Sequence, residues 1–125
     1  MTPVVLDAGA LIALERRDSR MLALADELHR MRRVGHLPAG VVAQVWRGSA
    51  RQHAIARLLR SQAIRVDPLS EELGYRLGLL LARSGTSDVV DAHVALLGRL
   101  LGATVLTSDP DDLAAVDPAL RLVHI

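Results

Sequence analysis

The feature that most constrains the fold is an alternation. Five short runs of β-prone residues lie at 2–7 (TPVVLD), 34–37 (VGHL), 63–67 (AIRVD), 103–107 (ATVLT) and 121–125 (RLVHI). Between them, segments 9–16, 19–33, 39–47, 50–60, 70–83 and 88–101 space their apolar residues as helices do. In 19–33 the apolar side chains recur at 21, 22, 24, 25, 28 and 31, with Asp18 placed to cap the first turn. Ser70 stands before the helix at 70–83, Gly85-Thr86-Ser87 interrupts the chain, and Gly102 occupies the position favoured after a helix end. Strands that alternate with helices pair in parallel, because each helix carries the chain back across the sheet. The expectation is an α/β, three-layer fold: a central, mostly parallel sheet of four to five strands flanked by helices. The 125 residues provide one core, so 1–125 is read as a single domain.

Residue types absent from the chain remove whole chemistries. There is no Cys, which excludes disulfides, thiolate zinc sites and cysteine nucleophiles. All 15 basic residues are Arg, so a P-loop and a lysine Schiff base are excluded as well. The five His (29, 36, 53, 93 and 124) show no HExxH or HxH spacing, and Ser49, Ser84, Ser87 and Ser108 lie in no GxSxG elbow. Trp46 and Tyr75 are the only aromatics, which limits base stacking. No apolar stretch approaches the roughly 20 residues of a membrane span, and the first residues lack a basic leader. A cytoplasmic protein without membrane association is expected.

Charge is unevenly spread. Residues 1–15 carry −2, residues 16–65 carry +8 and residues 66–125 carry −5. A basic segment attracts phosphates, and an acidic one holds divalent cations.

Ligands of open parallel sheets bind outside the carboxyl ends of the strands. Asp7 ends the first run and Asp109 follows ATVLT. Asp88 and Asp91, three residues apart at a helix start, are expected to share one face. Carboxylates brought within a few ångströms raise one another's pKa, and a hard divalent cation relieves the conflict. Oxygen-only ligands select Mg²⁺ or Mn²⁺ over zinc. Each acid also has a simpler explanation: Asp7 as a helix cap, Asp88 and Asp91 as partners of the helix dipole, and Asp-Pro-Asp-Asp as a turn. Three separate segments ending in acid on the ligand side favour a site.

These residues carry a resemblance. A strand running into Asp7-Ala-Gly-Ala-Leu-Ile, then Asp91-Ala-His-Val-Ala on a late helix, then Val105-Leu106-Thr107-Ser108-Asp109 with Asp112-Leu113, resemble a PIN domain. The small size makes the chain most similar to VapC-type toxins of bacterial toxin–antitoxin pairs. The resemblance implies a Mg²⁺- or Mn²⁺-dependent endoribonuclease with an RNA substrate. It also implies a small VapB-like antitoxin as partner and a homodimer formed through helices in the 19–60 region. It assigns the catalytic and metal-binding roles to Asp7, Asp91 and Asp109, Thr107 as the hydroxyl that steadies the first Asp, and Asp112 as a further acid. Where the family carries a second Glu in a VVxEVxR pattern, this chain reads Val41-Val42-Ala43-Gln44-Val45-Trp46-Arg47. Gln44 offers a carbonyl oxygen but no charge. Asp88, and more weakly Glu15, are the candidates to compensate. Arg47 and Arg51, one helical turn apart, are the candidates for RNA phosphates. The competing expectation is a PIN-fold RNA-binding or protein-interaction module that has lost catalysis with the missing Glu.

Overall fold

The computed structural model describes residues 2–125. Five strands, β1 (Val4–Leu6), β2 (Gly35–Pro38), β3 (Ile64–Asp67), β4 (Thr104–Thr107) and β5 (Arg121–His124), form one sheet in the order β3-β2-β1-β4-β5. All four pairings are parallel. The helices are α1 (Ala8–Glu15), α2 (Ser19–Arg30), α3 (Ala39–Val45), α4 (His53–Arg60), α5 (Glu71–Ser84), α6 (Val89–Leu101) and α7 (Pro110–Val116). The three-layer α/β architecture is therefore present, with five strands, all of them parallel.

The order of strands explains where a site can form. From β1 the chain builds outward through β2 to β3, then crosses back to β4 and β5 on the other side. The strand order thus reverses between β1 and β4, and a crevice opens beyond the carboxyl ends of strands at such a reversal. β1 is covered on both faces, so its residues read Val-Val-Leu without polar alternation and all are buried. Around it Leu11, Leu37, Val41, Val94 and Val105 are completely buried. α6 packs across β1, β2 and β4, and α1 packs on α2, α3 and α4.

Several boundaries differ from the sequence reading, each for a local reason. α2 stops at Arg30 because Arg32 adopts φ 51°, turning the chain toward β2. Pro38 lies inside β2, at its last position opposite Asp67. Its missing N–H is harmless there, since β1 pairs only as far as His36. The helix at 39–47 ends at Val45, where Trp46 is extended, and Gly48 has φ 70°. A 3-10 turn, Ala50–Gln52, then precedes α4. Buried Gln52 closes this break: its Nε2 donates to the Val45 carbonyl at 2.7 Å and its Oε1 accepts from the Arg47 N–H at 2.8 Å. Those groups would otherwise be orphaned at a helix end. The segment after Asp109 is a full helix, α7, with Pro110 in its first turn where no N–H is needed. No helix among the described residues is long and apolar enough to cross a membrane.

Candidate active site

Asp7 leaves the carboxyl end of β1 and caps α1, its Oδ1 accepting from the Ala10 N–H at 3.1 Å. The residue is only 9% exposed. Burial pushes its pKa above the ordinary carboxylate value, and nearby Asp109 adds to this. Hydrogen bonds from the Thr107 hydroxyl and from the Ala10 and Gly9 amides oppose the shift. Thr107, the last residue of β4, is fully buried. Its Oγ1 also accepts the Asp109 N–H at 2.9 Å. One hydroxyl thus ties Asp7 to the backbone of Asp109.

Gly9 permits that proximity. A Cβ at this position would lie 2.6 Å from Ser108 Cβ and 2.9 Å from the Ser108 backbone nitrogen. The first turn of α1 and the turn after β4 therefore touch through backbone. Asp109 is exposed at the start of α7, and its side chain caps nothing. Its Oδ2 accepts from Ser108 Oγ at 3.3 Å. Asp112 lies in the first turn of α7 and is exposed.

Asp91 enters from the first turn of α6. Its carboxyl is pushed up to about 6, first by burial, then by Asp88, Asp112, Asp7 and Asp109. Every one of these influences disfavours the ionised form. Asp88 does not share a helix face with Asp91 as the spacing suggested. It is the N-cap of α6, accepting the Asp91 N–H at 2.9 Å, because its extended backbone (ψ 111°) lies outside the helix.

The structure thus brings Asp7, Asp91, Asp109 and Asp112 within electrostatic reach at the β1–β4 reversal, with Asp88 beside them. Among the described residues no three carboxylate or imidazole side chains form a group that could hold a metal. The donor chemistry nonetheless suits Mg²⁺, which is bound through one or two carboxylates and keeps several of its waters. Gln44 is exposed near the end of α3 and is not among the groups that act on Asp7 or Asp91; neither is Glu15.

Arg47 and Arg51 do not share a helical turn, since α3 ends at Val45 between extended and left-handed residues. Arg47 Nη1 donates to the carbonyls of Ala43 at 3.0 Å and Trp46 at 2.7 Å, which satisfies the end of α3. Arg51 is exposed in the 3-10 turn. Three further residues gain a role only from the structure. Gly9 stands in the Asp7-Ala-Gly-Ala run and Gln52 in no motif; their surroundings reveal both. His93 is 2% exposed, with Nε2 unpartnered, and burial lowers its pKa while Asp67 opposes this. Its spacing four residues before Leu97 and three after Val90 places it on the apolar face of α6, a signal present in the sequence. Asp67 itself pairs with His36 Nδ1 at 3.2 Å and Arg65 Nε at 3.6 Å.

The Asp91 shift gives a stability prediction. Its carboxyl titrates near 6 in the fold against 3.8 otherwise, so the folded state holds the proton more tightly. The group therefore lowers stability progressively between those values and imposes its full cost above pH 6. Asp91→Asn removes the cost. With the partial exposure of the carboxyl taken into account, the gain at pH 7.5 in chelator is about 1 kcal/mol, or about 4 °C in Tm. The gain vanishes at pH 4. Thermal melts of both proteins between pH 4 and 8 check this; a gain independent of pH contradicts it.

Comparison with known proteins fits this geometry. The family model for the PIN domain matches residues 4–118, from β1 through α7. The solved structure of FitAB bound to an IR36 DNA fragment is similar, with a TM-score of 0.62 and 18% sequence identity. The alignment covers 97% of this chain and 94% of that one. No curated protein sequence matches the chain. With its acids lying at the β1–β4 reversal and the family match running over nearly its whole length, the chain belongs to the PIN domain family.

Proposed function

We propose that the protein is a Mg²⁺- or Mn²⁺-dependent endoribonuclease, the toxin of a VapBC-type toxin–antitoxin pair. PIN domains are generally nucleases. The observation that carries the reading is the state of Asp91: four acids and partial burial all oppose its charge, an arrangement that a bound cation stabilises. Asp7, Asp91 and Asp109 would hold the ion, directly or through its waters, with Asp112 and Asp88 nearby. A bound Mg²⁺ or Mn²⁺ supplies an acidified water and balances charge on a phosphate. The chain's own residues do the rest. Thr107 fixes Asp7 relative to Asp109, Gly9 keeps the two turns in contact, and Asp88 orders the helix start that presents Asp91. The basic stretch at 16–65, with Arg51 exposed within it, draws in the RNA backbone.

The partner reading is a small antitoxin. A groove of about 410 Å³ between α1, α2 and α4 has Leu14, Leu22, Ala25 and Leu58 along it, with Arg57 and the Arg30–Asp26 ion pair at its sides. It suits a peptide with apolar and acidic side chains. A second functional reading, a PIN-fold module that binds RNA without cutting it, is favoured by Gln44 and by the incomplete ligand group.

One experiment separates the two readings. The apo protein is melted with and without Mn²⁺ and then offered labelled RNA and DNA of the same sequence. The nuclease reading expects about 1.4 kcal/mol of stabilisation at about ten times the dissociation constant. It also expects Mn²⁺-dependent cleavage of RNA only. RNA binding without a metal response supports the non-catalytic module, and cleavage of DNA alone overturns the RNA assignment.

A further inference from the structure

The one tryptophan of the chain stands on a stretch whose formal charge is positive only. Between Glu27 and Asp67 there are eight Arg and no acidic residue. Trp46 lies within that stretch, 38% exposed, at the residue that ends α3. Part of the indole rests on the protein and part meets solvent. Gln44 before it and Arg47 and Arg51 after it are exposed as well. A single exposed apolar residue is ordinary on a protein surface. What sets Trp46 apart is how firmly it is presented. Buried Gln52 donates to the Val45 carbonyl at 2.7 Å and accepts the Arg47 N–H at 2.8 Å, so one side-chain amide fixes the backbone on both sides of Trp46. Arg47 Nη1 donates to the Trp46 carbonyl at 2.7 Å, which folds the guanidinium back beside the same residue. Among the described residues, neither Arg47 nor Arg51 forms an ion pair within the chain.

The course of α3 ties this surface to the acids. α3 leaves the carboxyl end of β2, on the same edge of the parallel sheet as Asp7 and Asp109. A Cβ on Gly40, in its first turn, would lie 2.9 Å from Val90, the residue before Asp91. From Gly40 to Trp46, six residues of helix rise about 9 Å. The indole thus lies within a few nucleotides' reach of the acidic site, on a surface without negative charge. An aromatic face beside free guanidinium groups is the combination that holds single-stranded nucleic acid: the ring stacks on a base and the cations meet the backbone. We infer that Trp46 is the base-stacking platform of this protein. One base of a single-stranded RNA lies on the exposed part of the indole, and Arg47 and Arg51 meet the phosphates beside it. The inference rests on the RNA reading above but not on catalysis. It makes Trp46 a residue that selects strand state. Bases in a duplex are already paired and stacked on one another, whereas an unstacked base in a single strand offers its face to an aromatic side chain. Base identity matters little to such a contact, because every base has a π-face.

Trp46 is the only tryptophan, so indole emission reports on this residue alone. The full chain is titrated in chelator with a short labelled single-stranded RNA and with a duplex of the same sequence. Binding is followed by Trp46 emission and by anisotropy of the label. The single strand quenches the emission and shields the indole from acrylamide. The duplex binds at least about tenfold more weakly and leaves the indole accessible. Trp46→Leu, followed by anisotropy, loses about tenfold or more in affinity for the single strand, as removal of a stacking aromatic does. Trp46→Phe keeps an aromatic face and stays within about threefold of the wild type. Both variants melt near the wild type, since the side chain is exposed. Chelator keeps the RNA intact and separates this inference from the nuclease reading. Quenching by a protein that cuts nothing with Mn²⁺ upholds Trp46 and sinks the nuclease reading. Mn²⁺-dependent cleavage, with RNA binding that leaves the emission unchanged, does the reverse. A Trp46→Leu affinity equal to the wild type overturns the inference. So does an indole already shielded from acrylamide in the free protein and uncovered on dilution, because a second copy of the chain then occupies the surface.

Discussion

Replacing Asp7 with asparagine is expected to lower metal-dependent RNA cleavage by at least about 100-fold and leave the fold standing. The two halves of that expectation rest on different atoms. Capping of α1 needs one oxygen to accept the Ala10 N–H, and an asparagine side chain provides it. Metal binding needs the charge, which asparagine lacks. Loss of even an outer-shell partner of a metal ligand typically costs about 10- to 100-fold in affinity or activity, so loss of a ligand's charge costs at least the upper figure. Thermal melts in chelator are expected to show the Asp7→Asn variant equal to or slightly above the wild type, because burial already disfavours the charged carboxylate. Cleavage assays at saturating Mn²⁺ supply the other half. If cleavage persists near the wild-type rate, Asp7 is only a helix cap.

Gly9→Ala is the second large effect. The added methyl would overlap the Ser108 side chain and press on its backbone nitrogen at 2.9 Å. The backbone cannot yield as a flexible side-chain tip does, so the turn carrying Asp109 must move away from α1. Overpacking of this kind costs about 1–3 kcal/mol. The gain from replacing Gly within a helix, about 1 kcal/mol, offsets part of that. The larger effect falls on activity: a displacement near 1 Å at a reacting centre costs about 100-fold. Ser108→Gly removes the side-chain part of the clash and is expected to restore much of what Gly9→Ala loses. Measuring stability and cleavage for both single variants and the double variant completes the cycle. Additive losses would mean that the two turns do not communicate through this contact.

Much of the architecture could be read from spacing. The cap at Ser70 and the stop at Gly102 stand where the sequence put them, because caps depend on a side chain and the few amides beside it. Asp88 shows the limit of such reading. Three-residue spacing fits two acids on one helix face and equally fits a cap with its first-turn partner. Backbone torsion, which spacing does not report, selected the cap. Arg47 and Arg51 failed as a pair for the same reason: a turn at Gly48 breaks the period on which their alignment depended. Gln52 drew no notice because a polar residue in an Arg-rich stretch reads as surface, whereas the break after Val45 needed a buried donor and acceptor.

The linear chain was enough to specify the alternation of strands and helices, the acids that end two strands and the exclusion of thiol and lysine chemistry. These follow from residue type and local period, which act over a turn or two. It could not specify that β1 and β4 would be neighbours, nor that Gly9 would meet Ser108 or Thr107 would join Asp7 to Asp109. Those are contacts between residues far apart along the chain. They are set by which strand order buries the apolar runs on both faces of the sheet, and only the assembled core makes that choice.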